Sequence, residues 1–153
     1  MFNSIGTLLK KKRTIPTQPS SSDLILTTAR LMLEVIRVDG VIGKIELITM
    51  SEVLKRNFNL GQDELNRLFE TISTMQLDDN ELGNLTKTIC EEWGNAKRLN
   101  LLENLWIVAL ADQTIDSTES DLVRKLAGLI CLNEMQIYQS HENAKSKLGI
   151  EDF

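Results

Sequence analysis

Five carboxylates in this chain fall into two short stretches of related spacing. Asp39 and Glu46 bracket Gly40-Val41-Ile42-Gly43-Lys44-Ile45, while Asp112, Asp116 and Glu119 surround Gln113, Thr114 and Ile115. Oxygen-only clusters of this kind suit a hard divalent cation such as calcium or magnesium, which gathers roughly six to eight oxygens from carboxylates, carbonyls and water. Each stretch alone offers two or three carboxylates, so one shared site would need both stretches brought together. Neither follows the alternating ligand pattern of an EF-hand with its obligatory central glycine, which excludes that loop. A purely structural role competes. The aspartates can accept backbone N–H groups within turns, and Glu46 and Glu119 can cap helices, each cap stabilising by about 1 kcal/mol. Asp116 and Glu119 have the D-x-x-E spacing of a capping box.

Other reactive residue types are sparse. His141 is the single histidine. It lies on a helical face with Tyr138 and Ala144, with no acid four residues away on either side, so a partly buried structural histidine is expected. Without a second histidine or a nucleophile elbow, a hydrolase triad has no anchor. The glycines are scattered and form no phosphate-binding loop. Cys90 and Cys131 both fall in apolar helical pattern, and no CxxC or Cys/His pairing suggests zinc; two buried thiols in a reducing compartment are expected. Trp93 and Trp106 occupy apolar helical positions and read as core. Asp78-Asp79 and Glu91-Glu92 read as cap and surface charges.

The elements that position these residues are helices. Leu99 to Ala111 is too apolar for a one-sided surface helix, and Leu122, Val123, Leu126, Ala127, Leu129 and Ile130 recur at helical steps. Between them lies a polar bend with one inward-pointing apolar residue, Ile115. Leu31 to Val38, followed by the Asp39 bend, repeats this arrangement: Asp39 aligns with Asp112, Ile42 with Ile115 and Glu46 with Glu119 at an offset of 73. Leu60 and Leu132 then begin matching helix starts at an offset of 72. This predicts an internal duplication of a three-helix unit. Further starts are expected at Ser22 or Asp23, at Gly61 with Glu64, at Asp78 with Glu81, and at Asn133 with Gln136. Gly94 and Asn95 are expected to end the fourth helix in a left-handed cap, with Lys97 or Arg98 beginning the fifth. In the last helix, Ile137, Tyr138, His141, Ala144 and Leu148 form the expected inner side. The fold class is all-α with about seven helices and no strand showing period-two alternation.

A chain of 153 residues suffices for one domain with a core. Residues 1–22 hold four cations and no acid, which leaves −9 on the remainder of a chain with net charge −5. An acidic body repels a phosphate backbone and argues against nucleic acid as a partner. Phe2, Ile5, Leu8 and Leu9 share a helical face ahead of Lys10-Lys11-Lys12-Arg13, a pattern suited to weak membrane-surface or partner contact through residues 2–13. Both prolines and three consecutive serines follow, as a linker. The expected division is a basic segment and linker over 1–22 and a helical domain over 23–153. No apolar run is long enough to span a bilayer, and the basic cluster follows the apolar stretch instead of preceding it, unlike a signal peptide.

The two Asp-led bends with their flanks, Val38 to Glu46 and Leu105 to Glu119, resemble the TerB-like (tellurite-resistance protein B) family. The likeness covers essentially residues 23–150 and is strongest over 98–149. Family loops read A-D-G, a variable residue, Ile or Val, Asp or Ser, two residues, then Glu. Here Gln113 stands in place of the usual Gly of the second loop, and Gly43 in place of the capping Asp or Ser of the first. The resemblance implies an all-helical cytoplasmic domain with two pseudo-equivalent halves, linked to tellurite and general stress resistance and to membrane-associated complexes. It also implies a divalent-cation role for the acidic loops, and it supplies no established catalytic activity. Within the family the chain is similar to a stand-alone variant with a short amphipathic N-terminus. The expected function is a non-catalytic interaction or regulatory domain that docks a membrane-proximal protein partner. The rival is a metal-dependent, hydrolytic enzyme using the same carboxylates.

Overall fold

Side-chain caps set the starts of several helices in this protein. In the computed structural model, which describes residues 21–75, 77–112 and 117–150, seven helices run in order: α1 (Ser21–Arg37), α2 (Lys44–Phe58), α3 (Gln62–Ser73), α4 (Asp79–Glu92), α5 (Asn95–Ala109), α6 (Ser117–Leu129) and α7 (Glu134–Leu148). No strand occurs among the described residues. The expectations for residues 1–20 and for Gln113, Thr114, Ile115 and Asp116 lie outside them. Asp78 caps α4 by accepting from the Glu81 N–H at 2.7 Å. Asn133 and Gln136 close a full capping box on α7, with bonds of 2.8 and 2.9 Å. The Gly61 N–H donates to Glu64 Oε1 at 3.0 Å at the start of α3. Two boundaries differ from expectation. α1 already includes Ser21, so Ser22 and Asp23, expected to cap its start, lie within its first turn. Gly94 is extended, not left-handed, and serves as the N-cap of α5, which therefore begins at Asn95. Trp93 folds inward at the end of α4, and its burial sets the sharp α4–α5 corner.

The duplication is visible in these bounds. Lys44 and Ser117 open α2 and α6, 73 residues apart, and Gln62 and Glu134 open α3 and α7, 72 apart. Packing repeats as well. α1 packs on α5, α2 on α5, and α1 on α6, so exchanging the two units reproduces the same cross-contacts. The first helix of each unit is central: α5 lies against α7, α1, α6 and α2, and α1 against α5, α2, α3 and α6. That explains why Leu99 to Ala111 is apolar nearly all round. α4 stands outside the repeat, and its principal helix partner is α6. Arg30 of α1 also lies 3.8 Å from Glu81 of α4.

The C-terminal ends of α2 and α6 match in detail. Asn59 and Cys131 are the described non-glycine residues with positive φ, at 54° and 67°, and they occupy equivalent repeat positions. After Cys131, the Leu132 N–H donates to Ala127 O (3.0 Å) and the Cys131 N–H to Gly128 O (3.1 Å), a Schellman turn; Leu60 likewise donates to Lys55 O (3.2 Å). Arg98 at the start of α5 clamps this second corner, donating to Trp93 O at 3.2 Å and to Ile130 O and Cys131 O at 3.1 Å.

The expectation of two buried thiols is corrected. Cys90 and Cys131 form a disulfide across a Cα–Cα distance of 5.5 Å, and no free cysteine remains. Cys131 is exposed and Cys90 half-buried. Helical periodicity describes each cysteine's own face but says nothing of the 41-residue closure between α4 and the α6–α7 corner.

Trp106, fully buried, organises the second unit. His141 of α7 meets its ring edge-on with centroids 4.5 Å apart, and the Arg124 guanidinium of α6 lies 5.3 Å from its centroid. The structural reading of His141 holds. Tyr138, expected on the inner side of α7, is exposed, and Ser140 is buried instead, donating to Ile137 O at 2.9 Å. Burial lowers the His141 pKa from its ordinary 6.5, and Lys145 and Arg124 push the same way, against a hydrogen bond and charge from Glu142. A depressed histidine pKa means that the unfolded chain binds the proton first. Stability is therefore expected to fall as pH drops through about 6.5 and to level off once the folded imidazole is also charged. Thermal midpoints between pH 8 and 5 (roughly, the range where histidine titrates) are expected to decline less in His141→Gln than in the wild type. Parallel curves would remove His141 as the source.

Candidate functional site

The first acidic bend is built from the end of α1 and the start of α2. The Gly40 N–H closes on Arg37 O at 3.0 Å, and a φ of 86° at Gly40 needs a residue without Cβ. Asp39 Oδ1 then accepts from the Val41 N–H at 2.9 Å, a local turn of the Asx type. This is the structural role that competes with cation ligation for Asp39. Gly43 is the extended N-cap of α2, and Glu46 sits three residues on, in the first turn. Its side chain folds back under the bend, so that a Cβ at position 43 would lie 2.5 Å from Glu46 Oε1. Gly43 leaves that space open, and the Glu46 carboxylate takes it.

The second bend is described at its two ends. Asp112 is exposed after α5, Asp116 lies outside the described residues, and Glu119 occupies the first turn of α6 in the same register as Glu46 in α2. Both glutamates are deeply buried, at 4% exposure for Glu46 and 3% for Glu119. A carboxylate in the first turn interacts favourably with the positive end of the helix dipole. Glu46 Oε2 nevertheless has no hydrogen-bond partner. Among the described residues no three Asp, Glu, His or Cys side chains converge as metal ligands, so Asp39, Glu46, Asp112 and Glu119 do not by themselves make a cation cage.

Sequence reasoning missed the surface around the first bend. Val41 is 67% exposed and Ile45 54%, and Val38, Ile42 and Ile48, close by in the chain, are exposed as well. Ile42, aligned with the expected inward residue Ile115, points to solvent. Ile45 and Ile48 are three residues apart on α2 and share its outer face. The available signal was that α2 carries apolar residues on more than one face: Met50 and Leu54 are already buried inward. A separate cavity of about 530 Å³ between α2, α5 and α7 is lined by Glu52, Arg56, Asn104 and Lys147 among others. It includes no residue of either bend and no nucleophile paired with a base.

The fold and these two bends define a class: a twice-repeated, all-helical domain turned at aspartate-led corners. A crystal structure of a protein of unknown function from Porphyromonas gingivalis W83 superposes with a TM-score of 0.63 at 17% identity, covering 88% of this chain and 96% of that one. The family described as "Tellurite resistance protein TerB" matches residues 26–141, and the chain belongs to the TerB family. No curated protein matches it. No described helix is long and apolar enough to cross a membrane.

Proposed function

We propose that this protein is a non-catalytic interaction domain whose docking surface is the aliphatic face around the first acidic bend. The exposure of Val38, Val41, Ile42, Ile45 and Ile48, all within residues 38–48, carries the reading, because large exposed apolar patches mark contact surfaces. The partner is a protein segment with an apolar helical face bordered by Lys or Arg. Asp39 and a body of net charge −9 outside residues 1–22 would attract such a segment and disfavour an acidic one. The basic, amphipathic composition of residues 2–13 supports a membrane-proximal setting.

A photo-crosslinking residue placed at position 45 of the full chain is expected to label peptides of that composition. The label is expected to disappear when Val41→Asp is added. Exposed positions of this kind change stability by about 0.5 kcal/mol or less, so the fold survives the test. Labelling of lipid, of this chain alone, or of acidic peptides would discard the reading.

One observation favours a second role, a divalent cation held at the bends: Glu46 Oε2 is buried without a hydrogen bond, and a buried polar oxygen left without a donor is costly. Calcium or magnesium at millimolar concentration would then raise the thermal midpoint of the wild type and leave Glu46→Gln unmoved. Equal midpoints with and without either ion in the wild type would end that role.

A further inference from the structure

We propose that Cys90 and Cys131 form a reversible redox site that latches α4 to the body, with Cys131 as the attacking thiolate and Cys90 as the resolving thiol. The first support is the comparison between the repeats. Position 59 and position 131 both demand a left-handed backbone, with φ of 54° and 67°. The first repeat meets the demand with asparagine, which tolerates that region; the second places a cysteine there, a residue with no preference for it. The backbone does not account for Cys131, and its sulfur does, because it bonds to Cys90.

The two sulfurs also sit in unlike surroundings. Cys131 is exposed on the α6–α7 corner, and the Arg98 guanidinium is bonded to its carbonyl oxygen at 3.1 Å. The exposure of Cys131 gives a small oxidant access to the sulfur, which a reactive cysteine requires. Cys90 is half-buried in the last turn of α4, so its sulfur is less open to a small disulfide than that of Cys131. In oxidation by a low-molecular-weight disulfide, the Cys131 thiolate attacks one sulfur of that disulfide and expels the other as a thiolate. Cys90 then loses its proton to solvent and attacks Cys131 Sγ, releasing the second small thiolate. The protein dithiol is oxidised by two electrons and the small disulfide is reduced to two thiols.

Closure matters for α4 because that helix lies outside the repeat and packs mainly on α6, so the bond reinforces its principal seam. Opening it leaves α4 as the element most easily released, while α5, in contact with four helices, stays anchored.

The test uses the full chain, reduced with dithiothreitol, desalted and challenged with oxidised glutathione, then read by mass spectrometry of acid-quenched samples. Cys90→Ser is expected to accumulate a glutathione adduct on Cys131, while Cys131→Ser is modified on Cys90 at least about tenfold more slowly. The wild type is expected to pass through the Cys131 adduct to the closed bond. Equal or faster modification of Cys90, or a wild type that does not close, overturns the assignment. Hydrogen exchange needs no variant. On reduction, amides of α4 are expected to exchange at least about tenfold faster while those of α5 keep their protection, and unchanged exchange in α4 overturns the latch.

Discussion

Trp106→Ala is expected to destabilise the protein by about 3–5 kcal/mol, the range for truncating a fully buried large aromatic. The indole is completely enclosed, and two of its neighbours come from different helices, His141 of α7 edge-on at 4.5 Å and Arg124 of α6 at 5.3 Å. Removing it creates a cavity at the point where α5, α6 and α7 meet, and the surrounding helices can close only part of it. It also removes the partner of the Arg124 guanidinium, a contact contributing roughly 0.5–1 kcal/mol. Trp106→Phe should cost much less. It keeps an aromatic ring against His141 and deletes an indole N–H that is buried without a hydrogen-bond partner. Urea unfolding of the two variants against the wild type checks both. A loss under about 1 kcal/mol in Trp106→Ala would mean the second unit is not organised around this residue.

Loss of the Cys90–Cys131 bond is expected to cost about 3–4 kcal/mol, since the cross-link closes a loop of 41 residues and so restricts the unfolded chain. For a protein of this size that corresponds to a fall of roughly 6–16 °C in the thermal midpoint. The wild type in dithiothreitol and the double variant Cys90→Ser, Cys131→Ser in any buffer should unfold at nearly the same temperature. The wild type without reductant should unfold well above both. Identical midpoints for the wild type with and without reductant would show that the bond adds no stability.

Several features of the molecule were legible from residue order alone because they are local. The capping residues Asp78, Asn133 with Gln136, and Glu64 behind Gly61 act within one helical turn, so their spacing is their mechanism. The duplication was legible for a related reason: a repeated hydrophobic period with an aspartate-led break needs no partner from elsewhere to be recognised. Trp93 and Trp106 followed from periodicity, since apolar residues on the inner face of a helix have nowhere else to go. The burial of Glu46 and Glu119 was half legible. Their position in a first turn predicted a cap, while their enclosure depends on how each bend lies against the neighbouring helices.

The remaining features depend on which faces meet, and periodicity does not encode that. Ile42, aligned with the expected inward Ile115, looks like a core residue in a linear reading, yet it is exposed, and the inner face of α2 is made by Met50, Val53 and Leu54. The periodicity of α7 places Tyr138 inward, yet it is exposed, because Ile137, Ser140 and Ala144 take the contact with the body. The disulfide is the clearest case. Each cysteine's position follows from its own helix or corner, but their meeting is set by how α4, lying outside the repeat, docks on α6. Sequence by itself determined the helices, their caps and the twofold plan, because those arise from interactions a few residues long. Tertiary structure alone decided which apolar side chains stayed exposed and which sulfurs met, because those depend on distances between segments tens of residues apart.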